Sequence, residues 1–174
     1  MRFLGTIEAK TDQKGRSFLP AAFRKQLQTA GEEDMILRKD VFQPCLVLYP
    51  QSVWNEQMDS LRSRLSRWDQ RQQAIFRMFV SDVEPVALDG NGRFLIPKRY
   101  MKLAGIGQTV RFIGMGDTIE IWGDRQEEGG VTPEAFGQAL EEIMNSEDKL
   151  FFLVSRRDCC HGWSIRRETD ADSG

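Results

Sequence analysis

The sequence predicts an α+β fold made of two copies of one small β unit with a helical insert between them. Three observations carry this: a motif repeated 77 residues apart, a strand-like run closing each copy, and helical periodicity in between. Asp12-Gln13-Lys14-Gly15-Arg16-Ser17-Phe18-Leu19-Pro20 recurs as Asp89-Gly90-Asn91-Gly92-Arg93-Phe94-Leu95-Ile96-Pro97, and both read D-x-[KN]-G-R-x-[FL]-[LI]-P. The closing runs are Leu46-Val47-Leu48-Tyr49 and Ile119-Glu120-Ile121-Trp122.

Each copy opens on an extended run, residues 6–10 and 84–88, that meets an Asp-x-x-Gly turn and continues as a second extended run. Aspartate bonds its own backbone two residues on, and glycine supplies the left-handed conformation a tight turn needs. Arg16 and Arg93 follow the glycine and stand at the mouth of an expected hairpin. Pro20 and Pro97 end the second strand and suit a first helical turn. Short helices are expected over 21–27 and 98–103, with Phe23 and Tyr100 in matching places. A hairpin this short has too little apolar face to stand alone, so each copy must pack against the other.

Between the copies, apolar residues fall at Trp54, Met58, Leu61, Leu65, Trp68, Ile75 and Phe79, a heptad-like seam that passes through the polar Gln72. Arg62, Arg64, Arg67, Arg71 and Arg77 lie largely off it. Residues 66–69 offer a break that would make a helical hairpin. The seam suits either packing on its own domain or a contact between subunits. Farther on, Thr132-Pro133-Glu134 reads as a helix start, with helical pattern over 135–144.

The 174 residues carry 24 Lys+Arg and 26 Asp+Glu, a formal net charge of −2. Residues 1–124 net +3 and residues 125–174 net −5. Affinity for a polyanion follows local basic patches, so this balance leaves a nucleic-acid partner open. No stretch reaches the roughly 18 apolar residues of a membrane span, and no signal peptide is expected at the start. Cys45, Cys159 and Cys160 are too few and too badly placed for a disulfide framework, which favours a reduced, cytosolic setting. The lone His161 beside Cys159-Cys160 lacks zinc-ligand spacing. Asp89-Gly90-Asn91-Gly92 fails as a calcium loop, since Phe94 and Tyr100 occupy the positions that would need Gly and Glu. No phosphate-cradling glycine motif of the nucleotide-binding kinds is present.

The Phe3-Leu4-Gly5 start, the two D-x-[KN]-G-R motifs, Leu46-Val47-Leu48-Tyr49-Pro50, the insert and Ile119-Glu120-Ile121-Trp122 together resemble the MraZ family over about residues 1–147. The resemblance implies tandem AbrB-like swapped-hairpin units, at 1–50 and 81–124, forming a pseudo-two-fold β-barrel-like core. The helical insert would span 51–80, a linker and C-terminal helix 125–147, and an extension expected to be disordered 148–174. It further implies a ring-shaped homo-oligomer, cytoplasmic and nucleoid-associated, that binds double-stranded DNA. Members are bacterial transcriptional regulators acting on repeated promoter elements upstream of the division and cell-wall gene cluster, their own gene included. No enzymatic activity, cofactor, metal, membrane or small-molecule substrate is expected. A ring-forming interaction protein and an antitoxin-like protein of the same superfamily are the alternatives.

Carried over position by position, the resemblance places DNA contact on Lys14 and Arg16 of the first loop and on Arg93 of the second, where Asn91 replaces the lysine. Asp12, Gly15, Pro20, Asp89, Gly92 and Pro97 are then loop architecture. Arg24 and Lys25, with Arg99 and Lys102 after the second copy, are placed to meet backbone phosphates. From the residues themselves, Arg16 and Arg93 suit either a DNA contact or an ion pair with the nearby aspartate.

Overall fold

The computed structural model describes residues 1–124, 131–132 and 135–145. The chain divides into two compact units, Met1–Glu128 and Gly129–Gly174. In the first, the order is β1 (Phe3–Lys10), β2 (Arg16–Phe18), α1 (Ala21–Ala30), β3 (Asp34–Lys39), β4 (Leu46–Pro50), α2 (Gln51–Ser63), α3 (Gln70–Ser81), β5 (Val83–Ala87), β6 (Arg93–Leu95), α4 (Lys98–Leu103), β7 (Thr109–Gly116) and β8 (Ile119–Gly123).

The strands form an antiparallel six-stranded sheet in the order β1-β7-β8-β4-β3-β5, and β2 pairs with β6 in a separate ribbon. Exchanging the two copies reverses the sheet order and leaves it unchanged: β1 stands for β5, β7 for β3 and β8 for β4. The repeat is thus a pseudo-two-fold in the strand order. The ladder ends at β1 and β5, and its pairings do not by themselves close a barrel.

One expectation is corrected here. The two extended runs of a copy do not zip into a hairpin. Beyond the turn the two runs meet in the isolated Thr11–Ser17 bridge and in the Ser17 hydroxyl donating to the Lys10 carbonyl at 3.4 Å, with no ladder between β1 and β2. β1 instead pairs along its whole length with β7 of the other copy, and β5 pairs with β3. The reason lies in strand length. A three-residue β2 cannot cover an eight-residue β1, whereas the eight-residue β7 matches it residue for residue from Phe3–Gly116 to Lys10–Thr109.

Both copies supply one core. Phe3, Phe23, Leu37, Leu48, Phe94, Ile96, Tyr100 and Phe112 are each no more than 2% exposed and belong to a single cluster. Phe3 meets Phe23 edge-on at 5.6 Å, and Phe94 meets Phe112 likewise at 6.2 Å. On β3 and β4 the alternate residues Ile36, Val47 and Tyr49 face the opposite side, where Trp54 of α2 covers them. Cover on both faces explains why Leu46-Val47-Leu48-Tyr49 is apolar without alternation.

The insert is a helical hairpin, not one continuous helix. Asp69 caps α3 by accepting from the Gln72 amide at 2.8 Å, and the Gln72 side-chain oxygen accepts from the Ser66 amide at 2.6 Å. The break folds the seam back on itself. Trp54 near its start stacks on Phe79 near its end, rings 5° from parallel and centroids 5.1 Å apart, and the Arg38 guanidinium lies 4.3 Å over Phe79. The base of the insert therefore packs on its own unit. Trp68 at the tip is 98% exposed.

In the second unit, residues 135–145 are helical, and Thr132 caps them by accepting from the Ala135 amide at 3.2 Å, as its sequence suggests. The expectations for residues 148–174, with Cys159, Cys160 and His161, lie outside the described residues.

Candidate nucleic-acid interface

The two motif loops have one geometry, built from the same atoms. In the first, the Gly15 amide donates to the Asp12 carbonyl at 2.9 Å and the Asp12 amide to the Arg16 carbonyl at 2.9 Å. Asp12 Oδ1 accepts from the Lys14 and Arg16 amides, both at 2.9 Å, while Oδ2 takes Arg16 Nε at 2.8 Å. In the second, Asp89 Oδ1 accepts from the Asn91 and Arg93 amides at 2.9 Å, and Oδ2 takes Arg93 Nε at 2.9 Å. Glycine is required at both turns. Gly15 has φ +86°, and a Cβ there would stand 2.6 Å from the Ile96 carbonyl oxygen; Gly92 has φ +78°.

The aspartate pairing with each arginine is thus present, and it does not exhaust the guanidinium. Nε holds the carboxylate, and the terminal nitrogens of Arg16 and Arg93 make no hydrogen bond among the described residues. An arginine oriented through Nε presents a pre-set fork, the arrangement suited to a phosphate or a guanine edge. Both carboxyls are held below the ordinary carboxylate value, first by the arginine's backbone amide, then by its side chain and the second loop amide, against a desolvation cost. A lowered value means the loop bonds are present above the usual carboxylate range and are lost only as pH falls through the lowered one. Binding through these loops should therefore stay flat between about pH 6 and pH 8 at fixed salt. A several-fold change in a fluorescence-anisotropy titration over that range would place a titrating group elsewhere in the interface.

The loops are not independent. The β2–β6 register sets Arg16 opposite Leu95, Ser17 opposite Phe94 and Phe18 opposite Arg93. Cross-copy bonds extend the ribbon at both ends, from the Ile96 amide to the Gly15 carbonyl at 2.8 Å and from the Leu19 amide to the Gly92 carbonyl at 3.1 Å. Strand alternation buries Ser17 and Phe94 and turns Arg16, Phe18, Arg93 and Leu95 to the other face. The two arginines are diagonal neighbours, about 7–8 Å apart along such a ladder. Arg93 also lies over the Phe18 ring at 5.7 Å. A two-stranded β-ribbon is among the elements that a B-DNA major groove, about 12 Å wide, admits.

The remaining cations divide. Lys14, Lys25 and Lys102 are exposed. Arg99 is paired locally, with Glu84 at 3.1 Å and Asp82 at 3.6 Å, and lies over the Tyr100 ring at 4.5 Å. Arg24 follows the first loop in sequence, yet it lies against the second, donating from Nη1 to the Asn91 carbonyl at 3.4 Å. Linear spacing carried no signal of that. The exposed Phe18 and Leu95 were also missed as part of this face, although an Arg-x-Phe and Arg-x-Leu pattern in short strands places them beside the arginines.

Other chemistry finds little support in the described residues. Burial pushes the Cys45 thiol up to about 12, so it stays protonated and unreactive. Among the described residues no group of three His, Cys, Asp or Glu could hold a metal ion, and no helix is long and apolar enough to cross a membrane.

Paired, aspartate-anchored arginine loops on a cross-copy ribbon define a tandem β-unit protein. The family model described as "MraZ protein, putative antitoxin-like" matches residues 2–78 and again 78–127. The chain is 65% identical over 151 residues to the transcriptional regulator MraZ of Phocaeicola vulgatus, covering 86% of this chain and 98% of that protein. It is 60% identical over 148 residues to that of Bacteroides fragilis, covering 84% and 94%. With that of Christiangramia forsetii it shares 33% over 150 residues, covering 85% and 96%. The chain belongs to the MraZ family.

Proposed function

We propose that this chain is a sequence-specific, DNA-binding transcriptional regulator without enzymatic activity. It would act in the cytoplasm, at the nucleoid, on repeated promoter elements upstream of the bacterial division and cell-wall gene cluster and of its own gene. The observation that carries the reading is the ribbon face, where two Nε-anchored arginines offer their forks side by side. Lys14 and Arg16 are the principal DNA contacts, Arg93 a further one, and Arg24 and Lys25 meet backbone phosphate; Asp12, Gly15, Pro20, Asp89, Gly92 and Pro97 shape the loops. The relatives' common name, transcriptional regulator, supports it.

The exchange of strands between copies supports the swapped-hairpin reading of units 1–50 and 81–124, with 51–80 as the insert and 125–147 as linker and C-terminal helix. One chain offers few cations, so a homo-oligomeric ring that presents many loops to a repeated site would raise affinity through multivalency. The exposed Trp68, Ile75 and Met78 of the insert are apolar surface available for such assembly.

Fluorescence anisotropy against the DNA upstream of the protein's own gene, and against scrambled DNA, tests the reading over a salt series. Tight binding to the native duplex should fall steeply with salt, by about 0.9 in log–log slope for each phosphate contacted. Equal, weak, salt-indifferent binding to both would leave an interaction protein that does not read DNA.

A further inference from the structure

The two loops are copies that differ by one charge: Lys14 of the first stands where the second has Asn91. Counting along the chain, the second loop is short of a cation. In space it is not. Arg24, in the second half of the first turn of α1, crosses 67 residues to lay its guanidinium against Gly92 and bond the Asn91 carbonyl. The 77-residue repeat relates Arg24 to Met101, and Met101 lies in the equivalent place over the first loop, its sulfur 2.9 Å from where a Gly15 Cβ would be. Each loop is thus covered by a helix side chain from the other copy. Where the loop carries lysine the cover is apolar; where the loop carries asparagine the cover is arginine.

We propose that Arg24 is the second loop's missing cation: the phosphate contact it makes is supplied in trans by the first copy to the second loop, which then carries as many cations as the first. This rests on the DNA-binding reading above. The geometry suits the role. Arg24 Nε is buried with no partner among the described residues, and Nη1 bonds the Asn91 carbonyl on the exposed side of the loop. The fork is thereby anchored at one edge, leaving Nη2 for a phosphate oxygen, much as Nε anchors Arg16 and Arg93 to their aspartates. Each loop then brings two cations to the ribbon: Lys14 with Arg16, and Arg24 with Arg93.

The test uses the full chain and the duplex upstream of its own gene, with affinity measured across salt. Arg24→Met copies the arrangement already present at Met101, keeping the packing and removing the charge. Affinity should fall roughly three- to ten-fold at low salt, and the log–log slope should shrink by about 0.9 per subunit engaged. Adding Asn91→Lys to Arg24→Met should restore both, because it returns the cation to the position it holds in the first loop. Wild-type affinity and slope in Arg24→Met, with Arg16→Ala still damaging, would overturn this inference and leave the regulator reading standing. A loss that Asn91→Lys does not relieve would overturn it too, since a purely structural arginine behaves that way. Absence of salt-dependent binding by the wild type would instead sink the DNA-binding reading itself.

Discussion

Replacing Arg16 with alanine is expected to lower affinity for the native upstream duplex by about ten- to a hundred-fold, with a much smaller change for scrambled DNA. A bidentate arginine contact to a base edge is worth about 1–3 kcal/mol of discrimination, and Arg16 has the geometry to make one. Its Nε is held by Asp12 at 2.8 Å, so little side-chain freedom is lost when the fork closes on DNA. Anisotropy with both duplexes at two salt concentrations checks the result. An equal loss on both duplexes, with a slope reduced by about one, would make Arg16 a phosphate contact and not a reader. No loss on either would remove the first loop from the interface.

The second large effect concerns what holds the ribbon. Phe94→Ala should cost about 3–5 kcal/mol in stability, because Phe94 is 2% exposed and truncation leaves a cavity against Phe112. For a unit of this size that is a fall in melting temperature of roughly 10–20 °C. Urea or thermal unfolding reads it directly. The mutation sits between Arg93 and Leu95, so DNA affinity should fall as well, although Phe94 itself faces away from the solvent side of the ribbon. A stability loss under about 1 kcal/mol would show that the ribbon is not seated on the core as described.

Much of this was legible in the residues. The repeat named the loops, and glycine after Asp-x-x is where a left-handed turn is needed, as the positive φ of Gly15 and Gly92 bears out. Pro20 and Pro97 do precede helices, and Leu46-Val47-Leu48-Tyr49 and Ile119-Glu120-Ile121-Trp122 are strands. The insert's helical periodicity was also visible. Whether residues 66–69 break it was open, because a seam of period 3.5 continues across a turn whenever the two helices present the same face to each other. The pairing of strands was not legible. Local turn chemistry favours a hairpin within each copy, but Asp12 and Asp89 complete their turns within five residues and place no demand on which strand lies alongside β1.

What the sequence by itself determined is therefore local: the turn, the cap, the helix start and the presence of two matching arginines, each set by chemistry within a few residues. What only the tertiary structure decided is partnership. β1 found β7, Arg16 came to lie beside Arg93 across the β2–β6 ribbon, and Arg24 reached the loop of the other copy. These contacts join residues about 67 to 113 positions apart, chosen by matched strand lengths and by one shared core that neither copy can bury alone.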